Sequence, residues 1–391
     1  MTVGASPSDH RPLNVLHVSH TAHRGGAELA LARLLSAAPA WTASVVSPAD
    51  GDAFAGLAGH GVGLDPRLPG LPTGGTRSRN PALAARYLAA LRAGAAALRR
   101  SERFRAADVL HANTAAAAIV SALANRSARK PLVVHLRDLV TPESLGRFGH
   151  AAFTRLGLRH AHGVIANSAS TLRSAAGQHG SDVPGAVIQS PAGITRRVAE
   201  PATRPAVRRV GMVGRLQHWK GQHVFLDAFA TAFAGTDVEA HLAGAPLFGE
   251  EAYLRGLHRQ AAALGIAGQV RFHGHVDDVA AFVESVDVLV HASIRPEPLG
   301  QTVLQGLAYG RPVVATDGGG PAEWITPGVN GLLVAPDRPD ELAAALRSLA
   351  GSAELRAALA AGAARTPGVR TDAECAAAHA DFFRRVWSAQ R

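Results

Sequence analysis

Lysine occurs only twice in this chain, at Lys130 and Lys220, among 40 basic residues. Arginine stands almost everywhere a lysine could, so a lysine kept within a motif points to a chemical need. Lys220 lies in the run Gly211-Met-Val-Gly-Arg-Leu-Gln-His-Trp-Lys-Gly-Gln222, where an apolar strand passes into a loop and then a helix. Gly214, Arg215 and Lys220 therefore sit at a helix entrance. Backbone N–H groups and the helix dipole favour an anion there, and two cations would add charge-assisted contacts to phosphate oxygens. A diphosphate fits such a site; a pair of solvated surface charges is the plainer alternative.

A second run, Glu297-Pro-Leu-Gly-Gln-Thr-Val-Leu-Gln305, begins in a loop after a strand that ends near His291. Glu297 would stand at the carboxyl end of a parallel strand, where open α/β sheets bind ligands. The amides of Leu299, Gly300, Gln301 and Thr302, at the start of the next helix, would face the same crevice. Gly319-Gly-Pro-Ala-Glu323 repeats the pattern of glycines before a short helix, and alone it reads as a turn. Asp50-Gly-Asp52 has the form of a metal-binding D-x-D, yet it falls in a turn with Asp52 placed to cap a helix. His17, His20 and His23 are spaced by three, but one lies in a strand and the others in a loop, so they give no helical metal face.

The elements that must carry these residues are legible as two series. Strands are expected at 13–18, 44–46, 108–111, 132–136, 163–166 and 186–189, alternating with alanine-rich helices, a doubly wound α/β pattern. An Arg- and Pro-rich stretch over 194–207 shows no apolar periodicity and reads as a linker. The second series has strands at 209–213, 239–242, 270–272, 288–290, 313–315 and 332–334. On its first helix Phe225, Phe229 and Phe233 form one apolar face, which is core. Residues from 340 onward are helical, with Pro367 and Gly368 marking a break before a last helix.

Composition narrows the function classes. With 391 residues and 47% hydrophobic content the chain can bury two α/β cores. Its single cysteine, Cys375, allows no internal disulfide. The first twelve residues are polar, and no apolar run reaches the length of a membrane span, so a cytoplasmic protein is expected. The net charge of +10 suits nucleic acid, an anionic membrane or a phosphorylated substrate equally. Without interleaved aromatics or a nucleic-acid motif, nucleic acid is disfavoured. The arginines at 86, 92, 99, 100, 103 and 105 allow weak peripheral contact with the inner membrane face, although a solvated helix face explains them as well.

Gly-Arg-Leu at 214–216 with Lys-Gly at 220–221, His-Gly-x-Val-Asp-Asp at 273–278, Glu-Pro-Leu-Gly at 297–300 and Gly-Gly-Pro-x-Glu at 319–323 occur in the order and spacing of the retaining glycosyltransferases of family 4, which the chain resembles over 209–335. More loosely, Gly25-Gly-Ala-Glu28 resembles that family's acceptor-side glycine loop, and Val164-Ile-Ala-Asn-Ser168 also matches it. The resemblance implies a GT-B architecture of two Rossmann-like domains facing across a deep cleft. The expected division is a flexible tail over 1–12, an acceptor-side domain over 13–199, a linker over 200–208, a donor-side domain over 209–369, and a helix over 370–391 returning to the first domain.

The resemblance also implies roles. Arg215 and Lys220 would neutralise the leaving nucleoside diphosphate in place of a metal, Glu297 would bind donor-sugar hydroxyls, and His135 would lie near the donor sugar. Gly26, Gly214, Val276, Leu299, Gly300, Gln301 and Thr302 would line the donor, and Gly25, Gly26 and Glu28 the acceptor side. Gln305 departs from the family, which carries a ribose-binding glutamate there; an amide bonds a diol without charge assistance, and Gln305→Glu is expected to tighten nucleotide binding. The implied activity is retaining, metal-free hexosyl transfer from a nucleoside diphosphate sugar to a hydroxyl of a small molecule, glycan or lipid-linked glycan. An epimerase of the same fold and a nucleotide-sugar-binding protein with little turnover are the alternatives. A dinucleotide-dependent oxidoreductase is disfavoured because G-x-G-x-x-G is missing after the first strand.

Overall fold

The computed structural model describes residues 11–71, 80–246 and 249–391. Most of the expected tail over 1–12, and 72–79 of a loop expected over 66–80 to shape the acceptor side, lie outside the described residues. The chain divides into two compact units, one comprising residues up to Pro191 together with Asp372–Arg391, the other Ala192–Thr371. Both are Rossmann-like, with helices packed on a wholly parallel sheet.

In the first unit β1 (Asn14–Val18), α1 (Gly26–Ser36), β2 (Thr42–Val46), β3 (Gly63–Asp65), α2 (Pro81–Arg100), α3 (Glu102–Ala106), β4 (Val109–Ala112) and α4 (Ala115–Asn125) come first. Then follow β5 (Leu132–Leu136), α5 (Pro142–Leu145), α6 (Arg147–Leu156), β6 (Gly163–Ala166), α7 (Ala169–Ser174) and β7 (Gly185–Val187). The sheet runs β3-β2-β1-β4-β5-β6-β7. The central strands are buried on both faces, which is why they read as unbroken apolar runs. Side-chain caps start the helices that follow them: Thr114 accepts from Ala117 N at 3.4 Å and Ser168 from Thr171 N at 3.1 Å. β3 has no apolar run and was not expected. Asp52 is not a cap; its carboxylate lies 3.2 Å from Arg24 Nε. The six arginines between 86 and 105 are all exposed.

The second unit carries β8 (Arg209–Val213), α8 (Gln222–Phe233), β9 (Glu239–Ala243), α9 (Glu251–Ala263), β10 (Val270–Gly274), α10 (Val279–Ser285), β11 (Val288–His291) and α11 (Gln301–Ala308). It continues through β12 (Val313–Thr316), α12 (Gly320–Trp324), β13 (Leu332–Val334), α13 (Pro339–Gly351) and α14 (Ala353–Ala364). Sheet order is β10-β9-β8-β11-β12-β13. Phe225, Phe229 and Phe233 are buried in its core.

The unit boundary falls at Pro191/Ala192, before the expected linker. Residues 192–208 belong to the second unit because polar contacts, rather than apolar periodicity, fix them. Arg197 donates to the carbonyls of Ala364 and Thr366 at 2.7 and 2.9 Å, Arg204 pairs with Asp287 at 2.7 Å, and buried Arg356 donates to Pro205 O at 2.6 Å. Ala192 and Ile194 are buried with the α11 cluster.

The last helix, α15 (Asp372–Ser388), belongs to the first unit. It covers a sheet face on which alternation places Val15 and His17 of β1, Val109 and His111 of β4, and Val133 and His135 of β5. The result is a buried histidine cluster. Trp41 Nε1, which can only donate, bonds His17 Nε2 at 3.0 Å; His17 Nδ1 meets His111 Nδ1 at 2.8 Å, and His111 Nε2 meets His135 Nδ1 at 3.2 Å. One donor at the head of the chain fixes every tautomer after it, so each imidazole is neutral and passes one N–H to the next. The His379 ring of α15 lies tilted 5.4 Å from that of His135, beside Phe383. Among the described residues no helix is long and apolar enough to cross a membrane, and no group of three or more metal-ligating side chains is placed to hold an ion.

Candidate active site

β8 ends at Val213 and hands the chain to Gly214 and the exposed Arg215, then to a short 3-10 turn, His218–Lys220, before α8. Gly221 closes that turn at φ 77°, and a Cβ there would stand 1.9 Å from Ala292 O, so only glycine fits. Gln222 anchors the loop by donating to Arg215 O at 2.8 Å. Lys220 is thereby turned toward the second motif: its Nζ bonds Glu297 Oε1 and lies 4.3 Å from the Trp219 ring centre.

Glu297 is seated by the third motif. Its backbone pairs with Gly319, and Gly320 N donates to Glu297 O at 2.7 Å. Gly319 has φ 67°, and a Cβ would sit 2.2 Å from that same carbonyl, so the glycines that read as a turn are what lets the Glu297 loop close. Three groups converge on one carboxylate oxygen, Oε1: Lys220 Nζ, Ser293 Oγ at 2.5 Å and His291 Nε2 at 3.0 Å. Burial alone would raise this acid's pKa, but the charge of Lys220 outweighs it and holds the carboxyl well below its usual range. Glu297 is an anion at neutral pH.

α11 brings in the remaining residues expected to line the donor. Its first helical bond runs from Leu304 N to Gly300 O, so the amides of Gln301, Thr302 and Val303 precede any helical acceptor. Thr302 Oγ1 donates to Val213 O at 3.1 Å, tying the start of α11 to the end of β8. Leu299 is buried, and Val276 packs against the same apolar cluster. Arg215, Lys220 and Glu297 thus lie along one sheet edge, after the carboxyl ends of the neighbouring strands β8 and β11.

Gln305 is occupied differently from the expectation. It is 4% exposed, and its amide donates to Ala192 O at 2.6 Å, joined by Gln301 at 3.3 Å. A carboxylate cannot make that bond and would face the carbonyl oxygen instead. Gln305→Glu is therefore expected to lower the thermal midpoint by the few degrees equivalent to about 1–3 kcal/mol, not to tighten nucleotide binding. An unchanged midpoint with a gain confined to ribose over deoxyribose nucleotides would return Gln305 to the ribose.

His135 also departs from its expected place. It is 1% exposed, sealed between β5 and α15 in the histidine cluster, and burial, then Arg137, holds its pKa well below the ordinary value. It packs the first unit's core and presents no ring nitrogen to a ligand. Sequence reasoning missed Arg137, two residues on. This buried guanidinium bonds Ser190 Oγ at 2.5 Å and Asn113 Oδ1 at 2.7 Å, joining three strand ends; an Arg-Asp pair directly after an apolar strand was the available signal. Gly25 precedes α1, and Glu28 in its first turn is buried beside Ser19 Oγ at 3.4 Å, its pKa raised by burial. Gly26 leaves open space for a Cβ. His291 and Ser293 were missed as well.

Residues 24–191 match the family Glycosyltransferase Family 4, and residues 198–366 match Glycosyl transferases group 1. The chain is 35% identical over 162 residues to the lipopolysaccharide core biosynthesis glycosyltransferase LpsE of Rhizobium meliloti, covering 41% of this chain and 44% of that one. It is 33% identical over 222 residues to the D-inositol 3-phosphate glycosyltransferase of Geodermatophilus obscurus, covering 52% and 48%. The chain thus spans about half the length of these curated relatives. The crystal structure of Anabaena Alr3699/HepE with UDP and glucose superimposes with a TM-score of 0.75 at 28% identity, over 94% of this chain and 98% of that one. WaaG, a glycosyltransferase of lipopolysaccharide biosynthesis, shares the fold at 18% identity and a TM-score of 0.68, over 94% and 99%.

Proposed function

Because the chain belongs to the family 4, group 1 glycosyltransferases, we propose that it transfers a sugar from a nucleoside diphosphate sugar to a hydroxyl acceptor, with retention and without a metal ion. The observation that carries this reading is Lys220 held on Glu297 at the carboxyl edge of the second sheet, beside Arg215 and the start of α8. The HepE structures with UDP and with UDP-glucose support the donor class.

In this reading Arg215 and Lys220 meet the diphosphate and gain most as its charge grows on bond cleavage, which is where electrostatic stabilisation accelerates the reaction. Glu297, fixed through Oε1, offers Oε2 to a hydroxyl of the donor sugar. The acceptor oxygen forms its bond to the sugar carbon on the face from which the diphosphate leaves. The carbon–phosphate oxygen bond breaks, and the acceptor proton ends on the diphosphate. No protein nucleophile takes part.

The test is a panel of nucleoside diphosphate sugars incubated with hydroxyl acceptors in excess EDTA, the product's anomeric configuration being read by NMR. Diphosphate release with the donor's configuration, at a rate EDTA does not change, is expected. Inversion would remove the same-face mechanism, and loss of activity restored by magnesium or manganese would remove metal independence. An altered sugar nucleotide formed without acceptor would replace transfer by epimerisation.

A further inference from the structure

Lys220 has one ammonium group and two claims on it: Glu297, which it contacts, and the diphosphate that the proposed reaction requires. Glu297 is 7% exposed and anionic. A buried carboxylate deprived of its cation is costly, so moving Lys220 toward a diphosphate would be opposed unless another cation replaced it.

His291 is placed to be that cation. It is 6% exposed, and the groups it meets come from two sides. From β12, Thr316 Oγ1 lies 3.3 Å from Nδ1; the Thr316 hydroxyl donates its own hydrogen to Ser293 O at 2.9 Å, so toward His291 it can only accept. On the other side Nε2 lies 3.0 Å from Glu297 Oε1, within ion-pair reach but off the line of a hydrogen bond, while Lys220 and Ser293 hold that oxygen. Both ring nitrogens face acceptors. A neutral imidazole, with one N–H, satisfies only one of them, whereas an imidazolium satisfies both.

We propose that His291 is a positioning residue that takes a proton from solvent onto Nε2 when a nucleoside diphosphate binds, so that Glu297 keeps a cationic partner and its orientation while Lys220 turns to the diphosphate. This rests on the functional reading above. Binding and proton uptake are then linked, and affinity falls as pH rises, by up to about tenfold per pH unit for one proton.

Isothermal titration calorimetry of the full chain tests this, using whichever of ADP, CDP, GDP, UDP and dTDP gives the largest thermal shift. Titrations at pH 7.5, above the last phosphate ionisation at about 6, are repeated in buffers of different ionisation enthalpy, and the slope of binding enthalpy against that enthalpy counts protons. The wild type is expected to show net uptake, and His291→Gln to bind with the slope lost. Glu297→Gln, which leaves no carboxylate to compensate, is expected to bind at least as tightly, also without slope, and carries the test if His291→Gln does not fold. Wild-type binding with equal enthalpies in all buffers, or a slope surviving in either variant, would overturn the proposal alone. Absence of binding by all five nucleotides would overturn it together with the functional reading.

Discussion

Lys220→Ala is expected to lower turnover by on the order of a hundredfold or more, the scale of removing one group that acts on charge developing in the transition state. The structure adds a second consequence. Lys220 and Glu297 are both largely buried, and without Lys220 the carboxylate retains Ser293 and His291 but loses the charge that most depresses its pKa. Breaking one side of a buried pair costs about 3–5 kcal/mol in comparable cases, of which a proton taken up by His291 would offset part, so a slow enzyme could simply be a poorly folded one. The double variant Lys220→Ala, Glu297→Gln separates the two effects, because it removes the uncompensated charge along with the cation. Its thermal midpoint should recover toward wild type while its turnover stays low. Turnover within a few-fold of wild type in a folded Lys220→Ala chain would refute the diphosphate assignment.

The glycine loop with Arg215 and Lys220 was legible because it is local. β8, the loop and α8 are contiguous, and the rarity of lysine singled out Lys220 before any contact was known. The pairing of Lys220 with Glu297 was not readable, since it spans 77 positions and depends on β8 and β11 being neighbours in the sheet. Gln305 shows the opposite limit. A motif gives spacing and not side-chain partners, and the carbonyl Gln305 serves, that of Ala192, belongs to a stretch expected within the first domain. Residues 194–207 misled because their order comes from guanidinium–carbonyl bonds, which leave no periodic trace in sequence. β3 escaped for a related reason: three residues beginning with glycine give no alternation to detect. In β5, alternation does separate Leu132, Val134 and Leu136 from Val133 and His135. What it could not reveal is that the second face is covered by α15, more than two hundred residues later.

That covering makes the first unit sensitive to acid. His17 is pulled down to about 3 by burial, with His379 and Arg137 adding to the effect, and His111 and His135 are held well below the ordinary 6.5, again mainly by burial. In the unfolded chain each would titrate near 6.5. Folded-state values below the unfolded value mean that the unfolded chain binds more protons, so this stability is fully present above about pH 6.5 and drains as pH falls toward the folded values. At pH 5 each such imidazole favours unfolding by about 2 kcal/mol, and three together approach the whole stability of an ordinary domain. Protonation also finds no acceptor along the row, because the paired ring nitrogens already give or take a neighbour's hydrogen and His135 Nε2 has no partner. Unfolding of the first unit, followed through the tryptophans Trp41 and Trp387 that pack against it, is therefore expected to shift sharply to lower temperature or urea between pH 7.5 and 5. His135→Leu removes the last ring of the row, whose Nε2 has no partner, and should flatten that pH dependence by one imidazole's share, about 2 kcal/mol at pH 5, while leaving turnover at pH 7.5 intact. A first unit equally stable at both pH values would show that these imidazoles are not kept neutral. Loss of turnover in a folded His135→Leu chain would put His135 back among the reacting groups.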